Sequence, residues 1–179
     1  MVSKDFNEQL RTYVEAVQGW DRVHRIVGKT PVGQLVAESV EALETLWLEV
    51  PREGACLVDV GAGAGLLGFP ALFAHPTLEV LFVEPDTKKA AFLRFFATSL
   101  PEHQSTRIKV LNQNIQDVSR ETLQTNNIQP ESCCLCARAF SGSTSLEQAM
   151  EPSVFAKHNI YIFRSQAGRH FFEKGVMTK

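Results

Sequence analysis

The chain lacks the features that would send a protein into a membrane or out of the cell. Nowhere in its 179 residues does an apolar run approach the roughly 18 residues that a membrane-spanning helix needs. The N-terminus, MVSKDFNEQLRTYVEAV, is charged and amphipathic and has no signal-peptide core. Cysteine is scarce: Cys56, Cys133, Cys134 and Cys136 fall on apolar stretches and form no spaced disulfide framework. Reduced thiols and a cytoplasmic location are the expectation. On a strand, Cys134 and Cys136 would face one side and Cys133 the other, so they cannot wrap one ion, and no second cysteine or histidine pair completes a site. No metal is therefore expected. An excess of positive charge is missing too. Eighteen Lys and Arg stand against twenty Asp and Glu, a net charge of −2, so any contact with nucleic acid must come from local patches. Repeats, low-complexity tracts and linkers are absent, and the length suits one domain, residues 1–179.

What is present is concentrated between Cys56 and Ser99. An apolar run, Cys56 to Val60, ends in Gly61, Gly63, Gly65 and Gly68. A helical stretch over about 65–74 follows, then Pro76, then a second apolar run over 79–84 that ends on Glu84. Strand, glycine turn, helix, strand and acidic residue open a nucleotide-binding α/β domain. Asp86 can cap a helix over about 87–99. Strands are expected at 107–111, 132–137 and 158–163, with short helices at about 118–123 and, capped by Ser143 or Ser145, up to about 150. The tail from Ser165 is too short for a further helix and two strands. Alternating strands and helices predict a parallel sheet covered on both faces. Before this core, residues 5–18 and about 32–48 carry apolar residues at helical spacing and would form a cap in front of the sheet. Between them Gly28-Lys29-Thr30 resembles the end of a phosphate loop, but Val23 stands where that motif needs glycine and no strand precedes it.

Two ligand registers fit the glycines. Gly63, Gly65 and Gly68 spell G-x-G-x-x-G, the dinucleotide fingerprint, with Glu84 about twenty residues on as a ribose-binding acid. Asp59, Gly61, Gly63 and Gly65 spell D-x-G-x-G-x-G, the turn of S-adenosylmethionine enzymes. The dinucleotide register would extend the strand to Ala62 and place a carboxylate and a glycine inside it, both unfavourable. The methyl-donor register ends the strand near Val60 with Asp59 at its rim, and it is preferred.

The stretch GAGAGLLGFPALFAHPTLEVLFVEPDTKKAAFLRFF resembles the donor-binding region of the bacterial 16S ribosomal RNA guanine methyltransferases, also called glucose-inhibited division protein B. The resemblance runs through Gly65, Gly68, Phe69, Pro70, Glu84, Lys88, Lys89, Phe92 and Leu93, and resumes at Ala137-Arg138-Ala139-Phe140. Departures are Leu67 for a proline, Leu35 for a helix-two histidine, Glu38 for an aspartate, and Asn114-Ile115-Gln116 for Arg-x-Glu. The resemblance implies a Rossmann-like class I methyltransferase with a helical cap over 1–50 and a core over 51–179. It implies transfer of a methyl from S-adenosylmethionine to ring nitrogen 7 of a guanine in 16S ribosomal RNA, free or in a small-subunit precursor, by a monomer. That nitrogen has a free lone pair at neutral pH, so orientation rather than a general base carries the reaction, and the sequence shows no acid/base triad.

The implied donor site is Asp59, Gly61, Gly63 and Gly65 around the amino-acid end, Glu84 on the ribose, Asn114 and Ile115 on the adenine, and Arg138 at the mouth. Arg138 is also the candidate catalytic residue, on the donor carboxylate or an RNA phosphate. Lys88, Lys89, Arg94, Arg107 and Lys109 form one basic tract and Arg164, Arg169, His170 and Lys174 another. Within them Lys88, Lys89, Arg164 and Arg169 are the candidate RNA contacts. Phe140, Phe171 and Phe172 are candidates for base stacking, whereas Phe92, Phe95 and Phe96 read as core. The alternatives are a diverged methyltransferase for another RNA or a small molecule, a catalytically degenerate donor-binding protein, and a dinucleotide-binding protein.

Overall fold

The computed structural model describes residues 4–47, 55–138, 146–156 and 158–175. Two helices, α1 (Lys4–His24) and α2 (Val32–Leu46), lead into β1 (Cys56–Val60). Then come α3 (Gly68–Ala74), β2 (Glu79–Val83), α4 (Thr87–Ser99), α5 (Glu102–Ser105), β3 (Ile108–Leu111), α6 (Arg120–Thr125), β4 (Cys133–Ala137), α7 (Leu146–Met150), β5 (Ile160–Gln166) and β6 (Arg169–Gly175). The six strands form one sheet in the order β3-β2-β1-β4-β5-β6. The first five are parallel, and β6 returns antiparallel to β5.

Side-chain alternation splits the sheet between two cores. Leu57, Val80, Phe82, Cys134, Cys136 and Tyr161 face α1, α2, α3 and α4. Cys56, Val58, Val60, Leu81, Val83, Leu135 and Ile160 face the other side, packing with Leu123, Leu146, Met150 and Phe155. Both faces are thus dry, which is why the strands read as continuous apolar runs. The thiols divide as the strand period requires, and all four are free, Cys133 being half-buried. The N-terminal helices have no core of their own. Tyr13, Val17, Val36, Leu43 and Leu46 share one cluster with Phe69, Phe92 and Phe96. Tyr13 sits between Phe69 and Phe96, each 5.2 Å away.

Besides the short α5, which was not expected, and shifts of a few residues in α6 and β5, three differences from the sequence expectation shape the fold. α1 continues past Gly19 to His24, because Val17 is buried and Trp20 packs partly on the same core while Arg22 and His24 stay exposed. α3 begins at Gly68 rather than near residue 65, since residues 61–67 form an extended glycine turn. The tail makes a strand instead of a remnant: Ala167 and Gly168, both at positive φ, close a two-residue hairpin that sends β6 back along β5. The backbone N–H groups of His170 and Phe172, on the open edge of β6, donate to Glu41 and Thr45 of α2. That covers an edge which would otherwise be free to pair. The expected Ser143 or Ser145 cap and Phe140 lie outside the described residues.

Candidate functional site

The site forms where β1 and β2 end. β1 stops at Val60, and Gly61, Gly63 and Gly65 follow at φ 66°, 60° and 80°. A side chain at such φ is strained, so three glycines within five residues allow a tight left-handed path. Their directions differ. A Cβ on Gly63 would meet only the Gly61 carbonyl, at 4.0 Å, so it points into open space. A Cβ on Gly65 would stand 2.6 Å from the Phe69 ring and 2.9 Å from Leu93. Gly68 is packed as closely against Phe82 of β2. The dinucleotide register needs Gly65 as the glycine that lets backbone approach the ligand. Here Gly65 faces protein and Gly63 faces the cleft, which is the methyl-donor register.

Acidic side chains fix the turn from below. Glu84, after β2, accepts the Gly63 N–H at 2.6 Å and the Asp86 N–H at 2.8 Å. It is almost fully buried. Each carboxylate oxygen that takes one N–H retains lone-pair capacity for a further donor. Asp59 does not sit at the rim of the strand, as the sequence suggested. It is the fourth of five residues in β1, is 2% exposed, and accepts the Gly68 N–H at 3.0 Å. Burial pushes its carboxyl up to about 8, with the Glu84 charge adding to the rise and the Gly68 N–H and Arg138 opposing it. From above, the Tyr13 hydroxyl donates to the Ala64 carbonyl at 2.9 Å and ties α1 to the turn.

The cleft holds about 230 Å³. Asp59, Gly61, Gly63, Lys89 and Arg138, all singled out in the sequence, line it. So do Ile26, Val27, Gly28 and Leu35, none of which the sequence reading placed in the site. The segment set aside as a failed phosphate loop is thus a wall of the cleft. Asp21 holds it there by accepting the Val27 N–H at 2.9 Å. The signal in the sequence was Asp21 at a helix end followed by an apolar pair and a glycine.

Arg138 follows β4 and reaches α2. It donates to the Leu35 carbonyl at 2.9 Å, the Ser39 hydroxyl at 2.6 Å and Glu38 at 2.5 Å. Its guanidinium also lies 4.1 Å above the Phe163 ring. Glu38 entered the sequence reading only as a departure from a family pattern and Ser39 was not singled out, yet both are its anchors. Asn114 is exposed and bonds Asp117 at 3.2 Å, while Ile115 is buried in the far core, so neither side chain lines the cleft. Asn112 instead clasps the Glu84 and Pro85 carbonyls, at 2.9 and 3.0 Å.

The other basic candidates separate by partner. Lys88 is exposed at the start of α4. Arg164 pairs with Glu173 at 2.8 Å, and Arg169 stands exposed at the hairpin tip. Arg107 is taken by three carbonyls, those of His75, Leu78 and His103. Phe172 is buried, so it cannot stack on a base, while Phe95 is 52% exposed rather than core. Among the described residues no cluster of three potential ligands could hold a metal ion. None of the described helices is long and apolar enough to cross a membrane.

Comparison with known proteins bears on this geometry. Residues 6–173 match the model of the family described as rRNA small subunit methyltransferase G. The chain belongs to that family. Among its relatives, the ribosomal RNA small subunit methyltransferase G of Helicobacter pylori strain J99 is 26% identical over 133 residues, covering 74% of each chain. That of Nitrosomonas eutropha is 29% identical over 151 residues, covering 82% of this chain and 61% of the relative. The chain thus spans about three-fifths to three-quarters of these two relatives. A solved glycopeptide N-methyltransferase complexed with S-adenosylmethionine superposes with a TM-score of 0.52 at 15% identity, over 77% of this chain and 65% of the other. The fold is accordingly that of the class I methyltransferases. In this methyltransferase G family member, the segment after α1 and Leu35 of α2 form one wall of the cleft, and both helices share the core cluster of the sheet.

Proposed function

We propose that the protein transfers a methyl group from S-adenosylmethionine to ring nitrogen 7 of a guanine in 16S ribosomal RNA. The observation that carries this reading is the glycine turn. Gly63 opens toward the cleft while Glu84 holds its N–H, in a chain matching the family model over 6–173. S-adenosylmethionine, when bound, supplies an electrophilic methyl on a sulfonium. The chain's own residues have the remaining tasks. Gly61 and Gly63 admit the donor's amino-acid end against backbone, and Asp59 lies beneath to receive its ammonium. Glu84 keeps acceptor capacity for ribose hydroxyls. Asn114 and Ile115 can reach the adenine only through backbone groups. Arg138, in this reading, meets the donor carboxylate or an RNA phosphate with the N–H groups left after its bonds to α2.

The guanine nitrogen needs no deprotonation, so alignment of nitrogen, methyl carbon and sulfur is the main demand. A cleft walled by Ile26, Val27 and Leu35 meets it by excluding water from the donor. The base must leave its stack to enter, since RNA major grooves are poorly reached by side chains. In this reading the substrate is 16S RNA or a small-subunit precursor, the enzyme acts as a monomer in the cytoplasm, and Lys88, Lys89, Arg164 and Arg169 contact phosphates.

Calorimetric titration with S-adenosylmethionine, followed by transfer of labelled methyl to 16S RNA lacking the modification, tests the reading. Micromolar donor binding and label mapped to a guanine ring nitrogen are expected. Binding of reduced nicotinamide dinucleotide in place of the donor would refute it. Donor binding with label on a small molecule would move the substrate assignment elsewhere.

A further inference from the structure

The groove between α1 and α4 is the most exposed apolar feature of the described surface, and it lies outside the donor cleft. Ala16, Gly19, Trp20, Val23 and His24 of α1 face Phe95 of α4 across a hollow of about 360 Å³. Val23 is 75% and Phe95 52% exposed, and among the described residues no other large apolar side chains are left open. Trp20 stands between His24, at 4.9 Å and 41°, and Phe95, at 5.1 Å and 32°. Three rings therefore follow one another along the groove, with Phe92 beneath Trp20 at 5.7 Å. At Gly19 an added Cβ would meet nothing within 4 Å, so the floor is open. Folding alone does not call for this ring row: Phe92 and Phe96 already fill the core side of α4.

The segments that follow the groove residues of α1 and open α4 carry charge opposite in sign to that of the whole chain. Residues 19–30 carry Arg22, Arg25 and Lys29 against Asp21, and the first part of α4 carries Lys88, Lys89 and Arg94 against Asp86. Both carboxylates are already engaged by backbone. Asp21 accepts the Val27 N–H, and Asp86 accepts those of Lys88 and Lys89. Among the described residues, none of these six cations is held in an ion pair. A groove of aromatic rings whose neighbouring chain segments carry more cations than carboxylates is the pairing that single-stranded nucleic acid recognises, rings taking bases and cations taking phosphates. A peptide or a second copy of this chain, net −2, gives no reason for the rings to be aligned.

The groove also runs to the right place. α1 ends at His24, and Ile26, Val27 and Gly28 then line the donor cleft. Lys89, in the first turn of α4, lines it as well. From Lys89 to Phe95 the helix advances about 9 Å, short enough for neighbouring nucleotides of one strand to occupy both places.

We propose that the α1–α4 groove binds an unpaired nucleobase flanking the methylated guanine. The base stacks on Phe95 beside Trp20, and Arg22, Arg25 and Lys88 meet the adjoining phosphates. This rests on the reading that the substrate is RNA. It adds a subsite that is sequence-tolerant, because every base has a face to stack, and that would hold the strand while the target base turns into the cleft.

The test compares wild type with Phe95→Leu, which keeps apolar bulk and removes the ring, and Phe95→Tyr, which keeps the ring. Phe95 is half-exposed, so neither change threatens the core. Affinity for a short fluorescein-labelled single-stranded RNA is read by anisotropy, and affinity for S-adenosylmethionine by calorimetry. Phe95→Leu should weaken RNA binding about 5- to 100-fold, the range for loss of one base–aromatic stack. Phe95→Tyr should restore it, and donor affinity should stay constant throughout. RNA affinity unchanged in Phe95→Leu overturns the proposal. So does a change only in sedimentation of the free protein, which would assign the groove to a second copy. If wild type binds RNA yet methylates none of it, the functional reading fails while the groove is still judged by Phe95→Leu. If wild type binds no RNA, both fail.

Discussion

Asp59 is the residue whose chemistry the fold changes most. Its carboxyl is lifted from 3.8 to about 8, so the free protein holds it largely neutral at pH 7. A folded pKa above the unfolded one means that stability is fully present below about pH 4 and is lost as pH rises through about 8. Asp59→Asn keeps the site neutral at every pH. Its urea midpoint should match wild type near pH 3, begin to exceed it above about pH 4, and exceed it by the equivalent of a few kcal/mol near pH 9. The same shift acts on donor binding. An ammonium brought to Asp59 favours the carboxylate, so binding below pH 8 should release close to one proton. Calorimetry in buffers of different ionisation enthalpy measures it, and affinity should rise with pH up to about 8. Gly63 and Gly65 make a second pair of contrasts. Gly63→Ala adds a methyl over open cleft and should cost about 1 kcal/mol of backbone strain while abolishing donor binding. Gly65→Ala drives a methyl into Phe69 and Leu93, and should cost about 2–4 kcal/mol in thermal or urea unfolding. The sequence marks both as glycines of one motif. Only the packing around them separates the ligand-facing one from the core-facing one.

Arg138 shows how elements are joined across the cleft. β4 ends there, and the side chain crosses to α2, more than ninety residues earlier in the chain. The pair with Glu38 is mostly buried, with 12% and 16% of the two side chains exposed. Arg138→Ala would leave Glu38, Ser39 and the Leu35 carbonyl without their donor, and should cost about 2–4 kcal/mol. Because Leu35 lines the cleft, donor affinity should fall with it. Arg138→Lys should recover less than half of the loss, since a compact ammonium cannot span three acceptors. Equilibrium unfolding with parallel donor titration distinguishes this clamp from a contact made only to RNA, which would leave stability unchanged. The parallel strands, the Asp86 cap and the helix over 87–99 were legible because period, capping chemistry and apolar runs agree locally. β6 was not: RHFFEKG alternates poorly, and its pairing depends on a hairpin whose Ala167 carries no turn signal. The reach of Arg138 was invisible for the same reason, because sequence spacing says nothing about a contact across the fold.

For the molecule as a whole, residues 1–50 and 51–179 read from sequence as a cap and a core, yet one apolar cluster runs from Phe6 to Phe172 through both. We expect the chain to unfold as a single cooperative unit. The two tryptophans suit the test. Trp20 lies on α1 against α4, and Trp47 follows α2 with its ring 4.2 Å from that of His75. Their fluorescence reports the N-terminal helices, while far-ultraviolet circular dichroism reports all of the secondary structure. The two urea transitions should coincide, and saturating S-adenosylmethionine should shift them together. At a hundred times its dissociation constant the donor should add about 2.7 kcal/mol. A fluorescence transition at lower urea, with the donor shifting only the later one, would mean that α1 and α2 open independently of the sheet. Tyr13 argues against that outcome. Its hydroxyl holds the Ala64 carbonyl inside the glycine turn, so α1 cannot leave without releasing the backbone of that turn.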